Sequence, residues 1–166
     1  MEDSKISLII AVIALLTSIY TLAVKSKPQV QKTADDNFLT KPLRLQAYER
    51  LVLLAERIAL PNLISRLSQP GLSAREMQFL LIEAIKQEYE YNASQQIYVT
   101  EAAWDAVRSL RDQNLLMVNT ISKSLPTDAT ATELNKRLME AMMQEEKAAI
   151  HTYTAHTLNA EAKKIM

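Results

Sequence analysis

From Ile6 to Val24 the chain runs nineteen residues with no charge and no proline, and no other feature limits the fold as much. Its polar members are Ser7, Thr17, Ser18, Tyr20 and Thr21. Coiled as a helix, the run measures roughly 29 Å, which matches a hydrocarbon core of about 30 Å. Ser and Thr hydroxyls cost little there, because they bond back to the preceding helical turn. Tyr20 stands near one end, at the headgroup level that amphipathic rings prefer. The run, from Ile6 through Leu16 to Val24, therefore reads as a transmembrane helix.

The flanks set its direction. Glu2, Asp3 and a single Lys5 precede it, whereas Lys25, Lys27, Lys32, Lys41 and Arg44 follow. Basic flanks stay in the cytoplasm, so residues 1–5 are expected outside, 25–39 as a linker and 40–166 as a cytoplasmic helical domain. The competing reading is a cleaved secretory signal ending near Thr21-Leu22-Ala23. Signals carry a basic leading region and an apolar core of about 7–15 residues, and neither is present. A buried core helix is a weaker alternative, since a small domain has no need to bury so long a run.

The remaining chain has room for one domain of ordinary size. The whole chain holds a single glycine, Gly71, and nine aromatic residues, which suits long helices and disfavours a sheet with many tight turns. Lys plus Arg and Asp plus Glu balance at 19 each, so the basic excess that neutralises a phosphate backbone is missing and no nucleic-acid partner is expected. The absence of cysteine removes disulfides, zinc fingers, iron–sulfur ligation and thiol catalysis.

Local signals divide the domain into about four helices packed as an antiparallel bundle. Thr40 and Pro42 predict a helix start, and Leu43, Ala47, Leu51, Leu54 and Ile58 form its apolar stripe until Pro61 interrupts it. A short turn of helix fits residues 62–67, and Gln69-Pro70-Gly71 is the clearest turn. Ser73-Ala74-Arg75-Glu76 is a capping box. The helix behind it is apolar nearly all round, with Met77, Phe79, Leu81 and Ile85, and is expected to be central. Thr100 caps the next, which runs to about Ser124 and ends before Pro126. Thr130-Ala131-Thr132-Glu133 is a second capping box, and no breaker follows it. One final helix could thus reach roughly 50 Å. Its second half is thinly apolar and is expected to project, fray or pair with another chain.

The stretch Pro42-Leu43-Arg44-Leu45-Gln46-Ala47-Tyr48-Glu49-Arg50-Leu51, with Glu56-Arg57-Ile58 and Pro61-Asn62-Leu63, resembles an uncharacterised family of Bacteroidetes proteins. The similarity continues through Glu88-Tyr89-Glu90-Tyr91-Asn92, Ser94-Gln95-Gln96-Ile97-Tyr98-Val99, Ala103-Trp104 and Leu125-Pro126, covering roughly residues 40 to 130. The resemblance implies a single N-terminal span in a bacterial inner membrane followed by a helical domain. It carries no catalytic residue.

Candidate sites are few. His151 and His156 stand five apart, which turns them about 140° from each other on a helix, and the Glu-x-x-His spacing of bundle di-iron centres is absent. Both are read as exposed or incidental. The groups Glu83, Glu88, Glu90 and Glu140, Glu145, Glu146 read as solvated helix faces. Arg111 and Asn114 lie near the fourth stripe, as a buried polar contact or the edge of a partner groove. Tyr89, Tyr91, Tyr98 and Trp104, and the methionines Met139, Met142 and Met143, are equally at home in a core and are also the candidates for a partner surface. No cofactor, metal or catalytic residue is expected. The leading expectation is a non-enzymatic, membrane-anchored interaction module whose partners are the bilayer and another protein, an accessory or scaffold subunit of a larger complex. The alternatives are self-association through the last helix and an enzyme or ligand-binding bundle with an acidic pocket.

Overall fold

The computed structural model describes residues 34–143 and 147–166, together with Ala14, Leu15, Thr17, Ser18 and Tyr20. Those five are helical, and Thr17 Oγ1 donates to the Ala14 carbonyl at 2.9 Å, the back-bonding by which a hydroxyl is satisfied without water. The rest of the expected span, Ile6, Leu16 and Val24 included, lies outside the described residues, as does the linker up to residue 33. Among the described residues no helix is long and apolar enough to cross a membrane.

The fold is all-α: α1 (Ala34–Ile58), α2 (Leu60–Leu67), α3 (Ala74–Tyr91), a 3-10 turn (Ala93–Ile97), α4 (Glu101–Ser124), α5 (Ala131–Met143) and α6 (Lys147–Ile165). Residues Phe38–Met166 form one compact unit. The first boundary differs from the sequence expectation. α1 starts at Ala34 and runs through Thr40, so Pro42 lies inside the helix and not in its first turn. An interior proline forfeits one i→i−4 bond and crowds the carbonyl four residues back. Pro42 is exposed, the setting in which that loss costs least.

The other end of α1 shows how a proline break is made good. Pro61 has no N–H to offer the carbonyls that end the helix, and side chains take over. Asn62 Nδ2 donates to Glu56 O at 2.8 Å, Arg66 Nη2 to Arg57 O at 3.3 Å and Asn114 Nδ2 to Ile58 O at 2.8 Å. Asn114 is buried, so the polar residue near the fourth stripe makes an internal contact, and it also lines a half-open cleft with Leu60 and Leu110. The chain then turns through Gly71, whose φ of +85° falls where side-chain-bearing residues are strained.

Both capping boxes form as expected. Ser73 Oγ accepts from Glu76 N while the Glu76 carboxylate accepts from Ser73 N at 2.9 Å. Thr130 and Glu133 repeat the pattern at 3.3 and 2.8 Å. The two caps are also joined, Ala74 N donating to Ala129 O and Ala131 N to Leu72 O, each at 2.9 Å. α3 and α5 therefore start side by side and run in the same sense.

Contacts between side chains give the remaining directions. Tyr48 meets Thr100 and Ile58 meets Asn114, so α1 and α4 are parallel. Gln78 meets Asn119 and Ser122, Tyr89 meets Trp104, and Thr154 meets Ala106, so α3 and α6 are antiparallel to α4. The core between them holds Tyr48, Leu51, Leu54, Ile58, Met77, Leu81, Ile85, Val107, Leu110, Leu134 and Leu138. Leu43 is exposed, and so is Phe79 on α3, at 63%. The near-continuous apolar run of α3 thus does not mark a helix covered on every side.

The last stretch is described as two helices, α5 and α6. The thinly apolar half neither frays nor projects. Leu158 and Thr154 are fully buried, Thr154 Oγ1 donates to the Ala106 carbonyl at 3.1 Å, and Ile150, Ala162 and Ile165 pack against the core. A few well-placed apolar side chains suffice because α4 presents a complementary face, which the periodicity of α6 does not disclose.

Candidate functional site

The aromatic candidates lie where α3 ends, the 3-10 turn follows and α4 begins. The rings of Tyr89 and Trp104 are 5.1 Å apart at 35°, and both residues are half-buried. The Arg111 guanidinium sits 4.0 Å from the Tyr89 ring centre and is held there by Asp112 at 2.6 Å, a cation–π stack. Tyr91 is 74% exposed and lies 5.7 Å beneath Arg50. The turn itself is anchored from inside. Asn92 and Gln95 are buried, and Asn92 Nδ2 donates to Glu88 O at 2.9 Å. With Gln95 turned inward, Ile97 is left 72% exposed and Tyr98 is exposed beside it. Two of the four aromatics therefore pack and two project, and Ile97 joins the projecting pair without having been singled out from the sequence.

The methionines belong to a different group, on α5. Met139 and Met143 are exposed, Met143 at 85%, while Met142 is half-buried. Among the described residues no hydrogen bond, ion pair or ring contact links them to the aromatics. Met142 instead lines a half-open cleft of about 320 Å³ with Leu60, Leu110, Met117, His151 and Glu56. His151 Nε2 approaches Glu56 Oε1 to 3.3 Å. That nitrogen is buried but badly aligned for a hydrogen bond, so the contact is a close approach of an imidazole and a carboxylate. His151 is thus half-buried and not exposed, with Glu56, 95 positions away, beside it. His156 is exposed as expected. Among the described residues no group of three His, Cys, Asp or Glu could hold a metal ion.

The acidic residues are largely tied to cations. Glu88 pairs with Arg57 at 2.5 Å, Glu83 with Lys86 at 3.5 Å, and Glu140 with Arg137 at 3.8 Å. Glu145 and Glu146 lie outside the described residues.

Glu161 is different. Its Oε2 accepts from Tyr48 Oη at 2.7 Å and from Thr100 Oγ1, and Tyr48 Oη also accepts from Thr100 N at 3.3 Å. Three helices meet at this carboxylate. Burial works to raise its pKa, yet the hydrogen bonds from Thr100 and Tyr48 and the charges of Lys164 and Arg44 outweigh burial and hold it below the ordinary carboxylate value. Burial, and then the bond to Glu161, pushes the Tyr48 phenol up. Since Tyr48 and Glu161 are 113 positions apart, no local pattern announced the network.

Neither a curated protein nor a solved structure matches the chain. A family model does, from residue 4 to residue 165. That span reaches well beyond the stretch of 40 to 130 on which the resemblance rests and takes in both the uncharged run and the last helix. The chain therefore belongs to that family, a family of unknown function (DUF7935).

Proposed function

We propose that this protein is a single-span, membrane-anchored interaction module of a bacterial inner membrane, of the Bacteroidetes kind, which works by holding another protein and not by catalysis. The observation that carries the reading is the nineteen-residue uncharged run, followed by Lys25, Lys27, Lys32, Lys41 and Arg44, which together favour a retained span with the bundle on the cytoplasmic side. The bundle supplies the second half of the argument. Tyr91, Ile97 and Tyr98 project around a turn anchored by buried Asn92 and Gln95, and exposed aromatics are the side chains from which interface hot spots are made. The apolar face of α6 lies against its own bundle, which leaves less of that helix for pairing between copies.

The test is a photo-crosslinking residue placed at Tyr91 or Ile97 in the full chain, expressed in its native membrane. A discrete adduct with one protein is expected, lost when the crosslinker is moved to exposed Tyr153. Recovery of the chain alone in mild detergent, with no adduct from either position, would sink the reading.

A further inference from the structure

The half-open cleft of about 320 Å³ joins an apolar floor to a polar mouth. In the floor Leu60 and Leu110 are almost fully buried, Met117 nearly so, and Met142 half-buried. The mouth carries Glu56, Asn62 and His151. The Glu56 side chain is about half exposed, and no described Lys or Arg lies within ion-pair distance of its carboxylate. Asn62 Nδ2 donates to the Glu56 backbone carbonyl at 2.8 Å and stands 3.5 Å from Glu56 Oε2, which leaves Asn62 Oδ1 free to accept. On the other side His151 Nε2 stands 3.3 Å from Oε1. That nitrogen is buried and has no hydrogen-bond partner, a costly state for a polar atom. The carboxylate is thus set between an amide and an imidazole, above an apolar hollow.

We propose that this cleft binds a small amphipathic primary amine, with the ammonium group at Glu56 and the apolar body on Leu60, Leu110, Met117 and Met142. The inference does not rest on the membrane span, since every residue of the cleft belongs to the compact unit Phe38–Met166. An ammonium group has three N–H donors and no acceptor. The mouth offers it three acceptors: the carboxylate, Asn62 Oδ1 and the unprotonated imidazole nitrogen. The half-exposed Glu56 side chain has room to turn aside and let a donor stand between Oε1 and Nε2. A neutral alcohol leaves the charge of the carboxylate unanswered, and an ionised acid meets a like charge. At about 30 Å³ for each liquid-packed heavy atom, the volume suits a molecule of about ten such atoms, near the lower limit of small-molecule clefts. The methionine thioethers in the floor are soft and adaptable, so they follow an alkyl or an aromatic body alike.

The experiment titrates phenethylamine into the full chain in mild detergent at about pH 8, where an alkylamine keeps its charge, and follows carbon-13 labels on the methionine methyl groups. The Met117 and Met142 signals are expected to shift saturably, while that of Met77, buried elsewhere in the core, stays in place. Phenethyl alcohol, of the same shape, should bind about tenfold more weakly or worse, since it forfeits a charge-assisted hydrogen bond. Its anionic counterpart hydrocinnamate should bind more weakly still. Glu56→Gln should bring the amine down to the level of the alcohol. Met142→Trp, which fills the floor, should abolish the response of Met117 to both. Uptake of the amine by detergent is common to wild type and variants and cancels between them. Equal affinity for amine and alcohol, or an amine response that Glu56→Gln leaves intact, overturns the inference. So does a cleft that answers none of the three compounds, and so does one that prefers hydrocinnamate. Should either variant lose helicity, the amine-to-alcohol ratio in the wild-type chain decides the matter.

Discussion

The Tyr48 hydroxyl donates to the Glu161 carboxylate at 2.7 Å, closing the last turns of α6 onto α1. Tyr48 is almost fully buried, and its oxygen also accepts from Thr100 N, at the first turn of α4. One phenol thus helps to set the relative position of three helices.

Tyr48→Phe keeps the ring and removes both bonds. It should cost about 1–3 kcal/mol, since the Thr100 amide loses its acceptor and Glu161 a donor. Urea unfolding measures this as a lower midpoint at unchanged slope. The pH dependence has two limbs. The folded-state pKa of Glu161 is depressed, so its contribution is present above the ordinary value of 4.5 and is lost as pH falls through the lowered one. That of Tyr48 is raised, so its contribution is present below the ordinary value of 10.0 and is lost as pH climbs through the raised one. Glu161→Gln should flatten the acid limb, and a midpoint profile that keeps it would show that other carboxylates carry it.

The paired caps should behave as one unit. Ser73→Ala and Thr130→Ala should each cost about 1 kcal/mol. Because Ala74 bonds to Ala129 and Ala131 to Leu72, the double variant should depart from the sum of the singles, as neighbouring sites in one hydrogen-bonded unit do. Bonds from the Ser73 amide and hydroxyl hold Glu76 low, and those from Thr130 do the same for Glu133. Both contributions fade as pH falls below the ordinary carboxylate value of 4.5.

Asn114→Leu fills the same space and strands the Ile58 carbonyl in the core. A loss of about 1–3 kcal/mol is expected, and the amides of α2 should exchange faster with solvent. No change in either measurement would mean that another donor serves Ile58.

Leu158 distinguishes a packed last helix from a projecting one. Leu158→Ala should cost about 2–5 kcal/mol, whereas Tyr153→Ala, on the exposed side of α6, should stay within about 0.5 kcal/mol. Equal small effects on thermal unfolding would show that α6 adds nothing to the bundle.

Features made by residues three or four apart were already legible along the chain. The two capping boxes, the Thr100 cap, the Gln69-Pro70-Gly71 turn and the stop at Pro61 each depend on a side chain meeting its own nearby backbone, so sequence order is enough to find them. α1 misled because Pro42 fits a first turn by local rule, and an exposed interior site tolerates it as well. Phe79 misled because hydrophobicity says what a side chain prefers and not whether a neighbour is there to cover it. The links Tyr48 to Glu161, Asn114 to Ile58 and His151 to Glu56 were decided only by packing, since each joins residues more than fifty positions apart. They exist because packed helices, parallel for α1 and α4 and antiparallel for α1 and α6, bring together turns that have no relation in the linear chain.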